Sequence, residues 1–67
     1  MSFTEQYHMV KKVARKMLVE AGVEEYDLDL RVSEMSLHIL DDLYQKNYSD
    51  KEITDAIKVL AAATSFN

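Results

Sequence analysis

The 67-residue chain has no cysteine, no proline and no tryptophan, and Gly22 is its only glycine. Without cysteine it can form neither a disulfide nor a thiolate metal site, which excludes a secreted disulfide scaffold and predicts a cytoplasmic protein. No apolar run approaches the ~20 residues that span a bilayer, and the N-terminus lacks the apolar stretch of a signal peptide, so we expect no membrane association. Since turn residues are scarce, the composition favours helices.

Apolar residues make up 48% of the chain and charged residues 30%. That apolar content is too high for a disordered chain, and the length suits one small domain over residues 1–67. From the initial methionine we expect a complete small gene product. A chain of this size buries only about 60% of its unfolded surface, so we expect marginal stability.

The first predicted helix covers residues 3–21. Ser2 and Glu5 have the spacing of a capping box, and Gly22 stands where a left-handed residue ends a helix. At ~100° per residue, the apolar side chains of this segment fall within an arc of about 80°, which should face the core. They are Phe3, Tyr7, Val10, Ala14, Met17 and Ala21.

The last predicted helix covers residues 50–64 and has the clearest start in the chain. Ser49 and Glu52 form a second capping box, and Tyr48 and Ile53 stand at the positions of a hydrophobic staple.

The middle predicted helix covers residues 30–46, begins somewhere within 29–33 and has Asn47 as its left-handed end. Its apolar arc spans about 200°, which indicates packing against two helices. The residues of this arc are Val32, Met35, Leu37, Ile39, Leu40, Leu43 and Tyr44. These three segments predict an all-α, compact three-helix bundle.

The connector at 23–29 is the ambiguous segment. Tyr26, Leu28 and Leu30 alternate with Asp27 and Asp29, as in a strand, yet no second strand is available to pair with. We therefore expect an extended connector that tucks its apolar side chains under the bundle, with a short helical turn as the alternative.

Charge is unevenly distributed along the chain, whose net charge is −4. Residues 1–22 carry a net +2, and residues 23–67 carry a net −6. The first helix places a candidate basic patch opposite its apolar arc: His8, Lys11, Lys12, Arg15 and Lys16. The patch could bind phosphates, but an ordinary solvated helix face is the simpler interpretation, so nucleic acid is an unlikely partner. A helix-turn-helix is disfavoured because the last helix begins with carboxylates.

No motif predicts a cofactor, a metal site or catalysis. Asp27 and Asp29 resemble the start of a calcium loop, but Val32 and His38 stand where that loop requires glycine and glutamate. No nucleophile has a recognisable base partner, no glycine-rich loop can hold phosphate, and so small a bundle should lack room for a substrate pocket. We therefore predict a protein that is not an enzyme and has no small-molecule substrate.

Since no motif predicts catalysis, a cofactor or a metal site, the function class that remains is binding to another macromolecule. Several apolar residues lie outside the predicted arcs, and carboxylates cover the second and third helices, so the candidate protein interface comprises Met9, Val13, Asp41, Asp42, Asp55, Val59 and Phe66. The leading hypothesis is a regulatory, inhibitory or adaptor protein that binds another protein. One alternative is a nucleic-acid accessory protein that uses the basic patch, and another is a homo-oligomeric assembly component. Because a small core needs extra burial, a second copy of the chain is the other expected partner, with a homodimer as the commonest arrangement.

Overall fold

A computed structural model describes residues 2–64, and over that range the chain forms three α-helices and no strand. The helices are α1 (Phe3–Glu20), α2 (Glu25–Gln45) and α3 (Asp50–Thr64). The predicted all-α three-helix bundle is therefore confirmed. None of these three helices is both long and apolar enough to cross a membrane.

Both predicted capping boxes are present. In α1 the Glu5 backbone N–H donates to Ser2 Oγ at 3.2 Å, and the Ser2 N–H donates to Glu5 Oε1 at 3.2 Å. In α3 the Glu52 N–H donates to Ser49 Oγ at 3.2 Å, and the Ser49 N–H donates to Glu52 Oε1 at 2.9 Å. These backbone donors lower the pKa of both glutamates, so the caps contribute stability at neutral pH that is lost as acid protonates the carboxylates.

The Ser49 cap supports a specific prediction. Replacing Ser49 with alanine removes the acceptor for the Glu52 N–H and should lower the free energy of unfolding by about 0.5–2 kcal/mol. Urea unfolding followed by circular dichroism measures the difference, with Ser33→Ala in the interior of α2 as the control. Equal midpoints for Ser49→Ala and the native protein would show that the cap does not stabilise α3.

The end of α1 is also as predicted. Gly22 has a φ of +85°, its N–H donates to the Val19 carbonyl at 3.1 Å, and the Val23 N–H donates to the Leu18 carbonyl at 3.0 Å. This bond pattern is a Schellman motif, and its two apolar members, Leu18 and Val23, pack against the same core cluster. Asn47 adopts a φ of +59° just after α2, as predicted.

The predicted start of α2 is wrong. Residues 25–29 are helical and continuous with the rest of α2, so the extended alternative for 23–29 does not hold and the helical alternative is nearer. Alternation misled the prediction because only Leu28 is buried, whereas Tyr26 and Leu30 are exposed. The overlooked signal is charge: Glu25 and Asp27 place carboxylates in the first turn, where the helix dipole favours them.

The core consists of two apolar clusters, and α1 contributes to both. One cluster contains Val10, Leu40, Ile53 and Ile57, and so joins all three helices. The other is built from α1 and α2: Ala14, Leu28 and Val32. Because α1 packs along both other helices, while α2 and α3 meet far less, α1 is the central helix of the bundle.

This arrangement corrects the predicted core face of α1. Val13 is buried, whereas Phe3 and Met17 are exposed. At ~100° per residue, Ala14, which faces α2, and Val13, which faces α3, point about 100° apart, so the two neighbours cover different sides of α1. The expectation that Val13 lies outside the core is therefore wrong, and Met9 is half-buried against the first cluster.

A polar network unforeseen from the sequence connects the helices. Gln6 of α1 is fully buried, and its Nε2 donates to Thr54 Oγ1 of α3 at 3.3 Å. The Tyr44 hydroxyl of α2 donates to Gln6 Oε1 at 2.6 Å. Because both ends of the Gln6 amide are satisfied by different helices, the network fixes the register of the bundle.

Candidate protein-binding surfaces

A row of large apolar side chains on α2 is open to solvent. Tyr26, Leu30, Leu37 and Tyr44 are 89%, 63%, 54% and 41% exposed. Their spacings of four, seven and seven residues keep them within an arc of about 40° along ~27 Å of helix. We call these four residues the α2 ridge.

The α2 ridge is exposed because α3 packs mainly against α1 and leaves this side of α2 uncovered. The wide apolar arc of α2 was predicted to pack against two helices, and for Leu37 and Tyr44 that interpretation is wrong. Leu40 turns into the shared cluster instead. At the C-terminal end of the ridge, the half-exposed Phe3 ring lies 6.1 Å from the Tyr44 ring and extends the apolar surface onto α1.

Carboxylates accompany the α2 ridge along one side. Asp27, Glu34 and Asp41 repeat every seven residues, about 65° round the helix from the ridge, and we call them the acidic flank. Asp27 accepts a hydrogen bond from Arg31 Nε at 3.0 Å. Within residues 2–64, Glu34 and Asp41 form no ion pair, and they border a shallow depression at Leu37.

The candidate apolar interface is only partly accessible. Met9 and Val13 line a groove of about 340 Å³ between α1 and α3, with Ala61 on its far side. The groove is an open channel between two helices and is not an enclosed pocket. Val59 is 68% exposed but does not line the groove. Phe66 lies outside the described residues.

The three candidate acidic interface residues are separated. Asp41 belongs to the acidic flank, whereas Asp42 lies about 150° round α2 from the ridge. Asp55 is on α3, where Lys51 Nζ donates to its carboxylate at 3.0 Å. Only Asp41 therefore adjoins a large exposed apolar surface.

The basic patch is assembled but partly neutralised. His8, Lys11, Lys12 and Arg15 border one shallow depression, while Lys16 lies on the groove between α1 and α3. One contact removes charge from the patch: Arg15 Nη2 donates to a carboxylate oxygen of Asp29 on α2 at 2.6 Å and thereby lowers the Asp29 pKa. Lys11 Nζ lies 5.5 Å from the centre of the Tyr7 ring, a contact that leaves its charge in place.

We therefore predict weak nucleic-acid binding by the basic patch. With Arg15 held by Asp29, few cations remain to displace the counterions of a phosphate backbone, so affinity at ~0.15 M salt should be no tighter than micromolar. Fluorescence anisotropy with random-sequence duplex and single strands measures it, and Lys58→Glu on α3 serves as the control variant. Nanomolar binding that is lost in Lys12→Glu, but kept in Lys58→Glu, would contradict the prediction.

Asp27 and Asp29, which resemble the start of a calcium loop in sequence, have other partners. Asp27 bonds Arg31 and Asp29 bonds Arg15, each through a side-chain contact. Within the described part of the chain, no three histidine or carboxylate side chains converge in a way that could hold a metal ion.

No protein-family model, curated protein or solved structure matches this chain. The chemistry of its own surfaces is therefore what bears on its function. The α2 ridge was not recognised from the sequence because Leu37 and Tyr44 were assigned to the core. The seven-residue repeat of Leu30, Leu37 and Tyr44 is the signal that could have revealed it.

Proposed function

We propose that this protein is a small, non-enzymatic regulatory, inhibitory or adaptor protein that binds another protein along the α2 ridge. The observation that carries the proposal is the exposure of four large apolar side chains in one row of a single helix. Scattered exposed apolar residues are ordinary, but four that share one face of a single helix are typical of a helix that packs against a partner. Tyrosine, which makes up half of the row, is enriched at the centres of interfaces.

The energetics suit a reversible interaction. Full burial of a large apolar side chain contributes roughly 1.5–3 kcal/mol, so covering the exposed parts of these four side chains contributes on the order of 5 kcal/mol. Association costs about 4–15 kcal/mol in lost freedom of motion. The apolar row alone therefore balances only the lower end of that cost, and polar or charged contacts must supply the remaining affinity.

Several hydroxyl groups have structural partners, which supports a non-enzymatic role. Ser2 and Ser49 cap helices, and the Ser36 hydroxyl donates to the Val32 carbonyl of its own helix at 2.7 Å. The Thr64 hydroxyl likewise donates to the Leu60 carbonyl at 3.0 Å. A hydroxyl engaged in this way serves as a hydrogen-bond partner of the backbone.

A matched pair of substitutions tests the proposal. Leu37 on the ridge and Val19 on α1 are 54% and 55% exposed, so Leu37→Glu and Val19→Glu make the same change of chemistry at equal exposure. In affinity capture from a nuclease-treated lysate of the cells that express the protein, we expect native protein and Val19→Glu to retain the same partner and Leu37→Glu to lose it. Capture of the same partner by all three proteins would contradict the proposal.

A further inference from the structure

We infer that the segment bound by the α2 ridge is a basic amphipathic helix, in which lysine or arginine flanks an apolar row; this inference rests on the proposed function and names the chemistry of its partner. The α2 ridge and the acidic flank repeat with the same seven-residue period. Leu30, Leu37 and Tyr44 occupy one heptad position, and Asp27, Glu34 and Asp41 occupy the position four residues later.

Heptad geometry determines what the acidic flank meets. When two helices pair along an apolar row, the residues beside that row face the corresponding residues of the other helix and select the partner by charge. Glu34 and Asp41 are exposed and have no ion pair within residues 2–64, so their charge is available to such a partner. A basic flank on the incoming helix complements them.

The other side of the α2 ridge is occupied by α1. Asp29, on that side of α2, bonds Arg15 of α1, and the Tyr44 hydroxyl bonds the buried Gln6 amide. Phe3 lies beside Tyr44 and continues the apolar surface. An incoming helix therefore lies between the Phe3 end of α1 and the acidic flank, which leaves carboxylates as the charged border that it meets.

The same charges argue against a second copy as the occupant. A symmetric antiparallel pairing of two α2 helices sets the acidic flank of one copy against the acidic flank of the other. Like charges in that position repel, and such repulsion is a usual means of excluding a wrong partner. The acidic flank also disfavours a bilayer rich in anionic lipids. Of the possible occupants, a basic helix is the one that both the apolar row and the flank favour.

The test uses two synthetic helical peptides of about three heptads, with leucine in the apolar positions and either lysine or glutamate in the flanking positions. Calorimetric titration of the full chain should show about tenfold or greater preference for the lysine peptide, decreasing with salt. Asp41→Lys should reduce or reverse the preference. Asp42→Lys makes the same change on the same helix away from the ridge and should leave it unchanged. All variants alter exposed side chains, and circular dichroism establishes that each is folded.

The outcomes separate the two proposals. Equal binding of both peptides, abolished by Leu37→Glu but indifferent to Asp41→Lys, would overturn the basic-helix inference and leave the α2 ridge as a docking surface. Binding of neither peptide, or binding unaffected by Leu37→Glu, would overturn the proposed function as well. Sedimentation from micromolar to millimolar concentration examines the remaining occupant: a dimer abolished by Leu37→Glu would show that a second copy covers the ridge, against the inference.

Discussion

Leu40→Ala should lower the free energy of unfolding by about 2–5 kcal/mol, the range for truncating a buried leucine when its surroundings collapse only partly. Leu40 is 2% exposed and shares a cluster with Val10 of α1 and with Ile53 and Ile57 of α3. Because this cluster is the place where all three helices meet, the cavity weakens every helix contact at once. Small domains have about 5 kcal/mol or little more in total, so much of the variant should be unfolded at 37 °C. Urea titration with circular dichroism measures the change.

Leu30→Ala is the control for this experiment. It removes the same atoms from the same helix, but Leu30 is 63% exposed on the α2 ridge. We expect its free energy of unfolding to change by no more than about 1 kcal/mol. Similar losses from Leu40→Ala and Leu30→Ala would mean that α2 is turned differently in the bundle, with Leu30 facing the core.

Local signals predicted helix ends well because their physics is local. Ser2, Ser49 and Gly22 act through hydrogen bonds to residues within five positions in sequence, so spacing alone is sufficient to identify them. The start of α2 was harder because Glu24, its N-cap residue, makes no side-chain cap bond. Only the general preference of carboxylates for a helix N-terminus marked that boundary, and the alternation of Tyr26, Leu28 and Leu30 obscured it.

Burial was predicted less well because it depends on which helices are neighbours. A helical wheel shows that α2 has a wide apolar arc, but not which part of the arc is covered. With α1 central, Val13 is buried by α3, while Leu37 and Tyr44 remain exposed. The candidate site could therefore be predicted in chemical character, apolar and acidic, but of the ridge and flank residues only Asp41 was predicted to belong to an interface.

Gln6 shows that a polar side chain is not always an exposed one. A glutamine between Glu5 and Tyr7 gives no sign of burial, yet its amide is fully buried and links all three helices. Burial of an amide is tolerable only when its hydrogen bonds are made, and here the partners are a tyrosine 38 positions away and a threonine 48 positions away. No local pattern carries that information.

Gln6→Glu should therefore destabilise the protein in a strongly pH-dependent way. At neutral pH the substitution places a carboxylate where water is excluded, and the Tyr44 and Thr54 hydroxyls can compensate it only in part. We expect the free energy of unfolding to fall by about 3 kcal/mol relative to the native protein. Burial should raise the pKa of the new carboxyl group in the folded state above its ordinary value of about 4.3. The protonated acid can donate to Thr54 and accept from Tyr44, as the amide does.

The sign of the pH dependence follows from that raised pKa. The unfolded chain ionises near pH 4.3, so the penalty is largest above the raised folded-state value and disappears below about pH 4, where both states are protonated. Since Glu5, Asp29 and Glu52 have lowered pKa values, the native protein itself loses stability in acid, and the two proteins must be compared at each pH.

Gln45→Glu, the same change at an exposed position, should cost less than about 1 kcal/mol at neutral pH. Gln6→Leu, which removes the amide without adding charge, should show no such dependence on pH. A constant difference between Gln6→Glu and the native protein from pH 7 to pH 4, measured as urea midpoints, would show that Gln6 is not enclosed by the three helices.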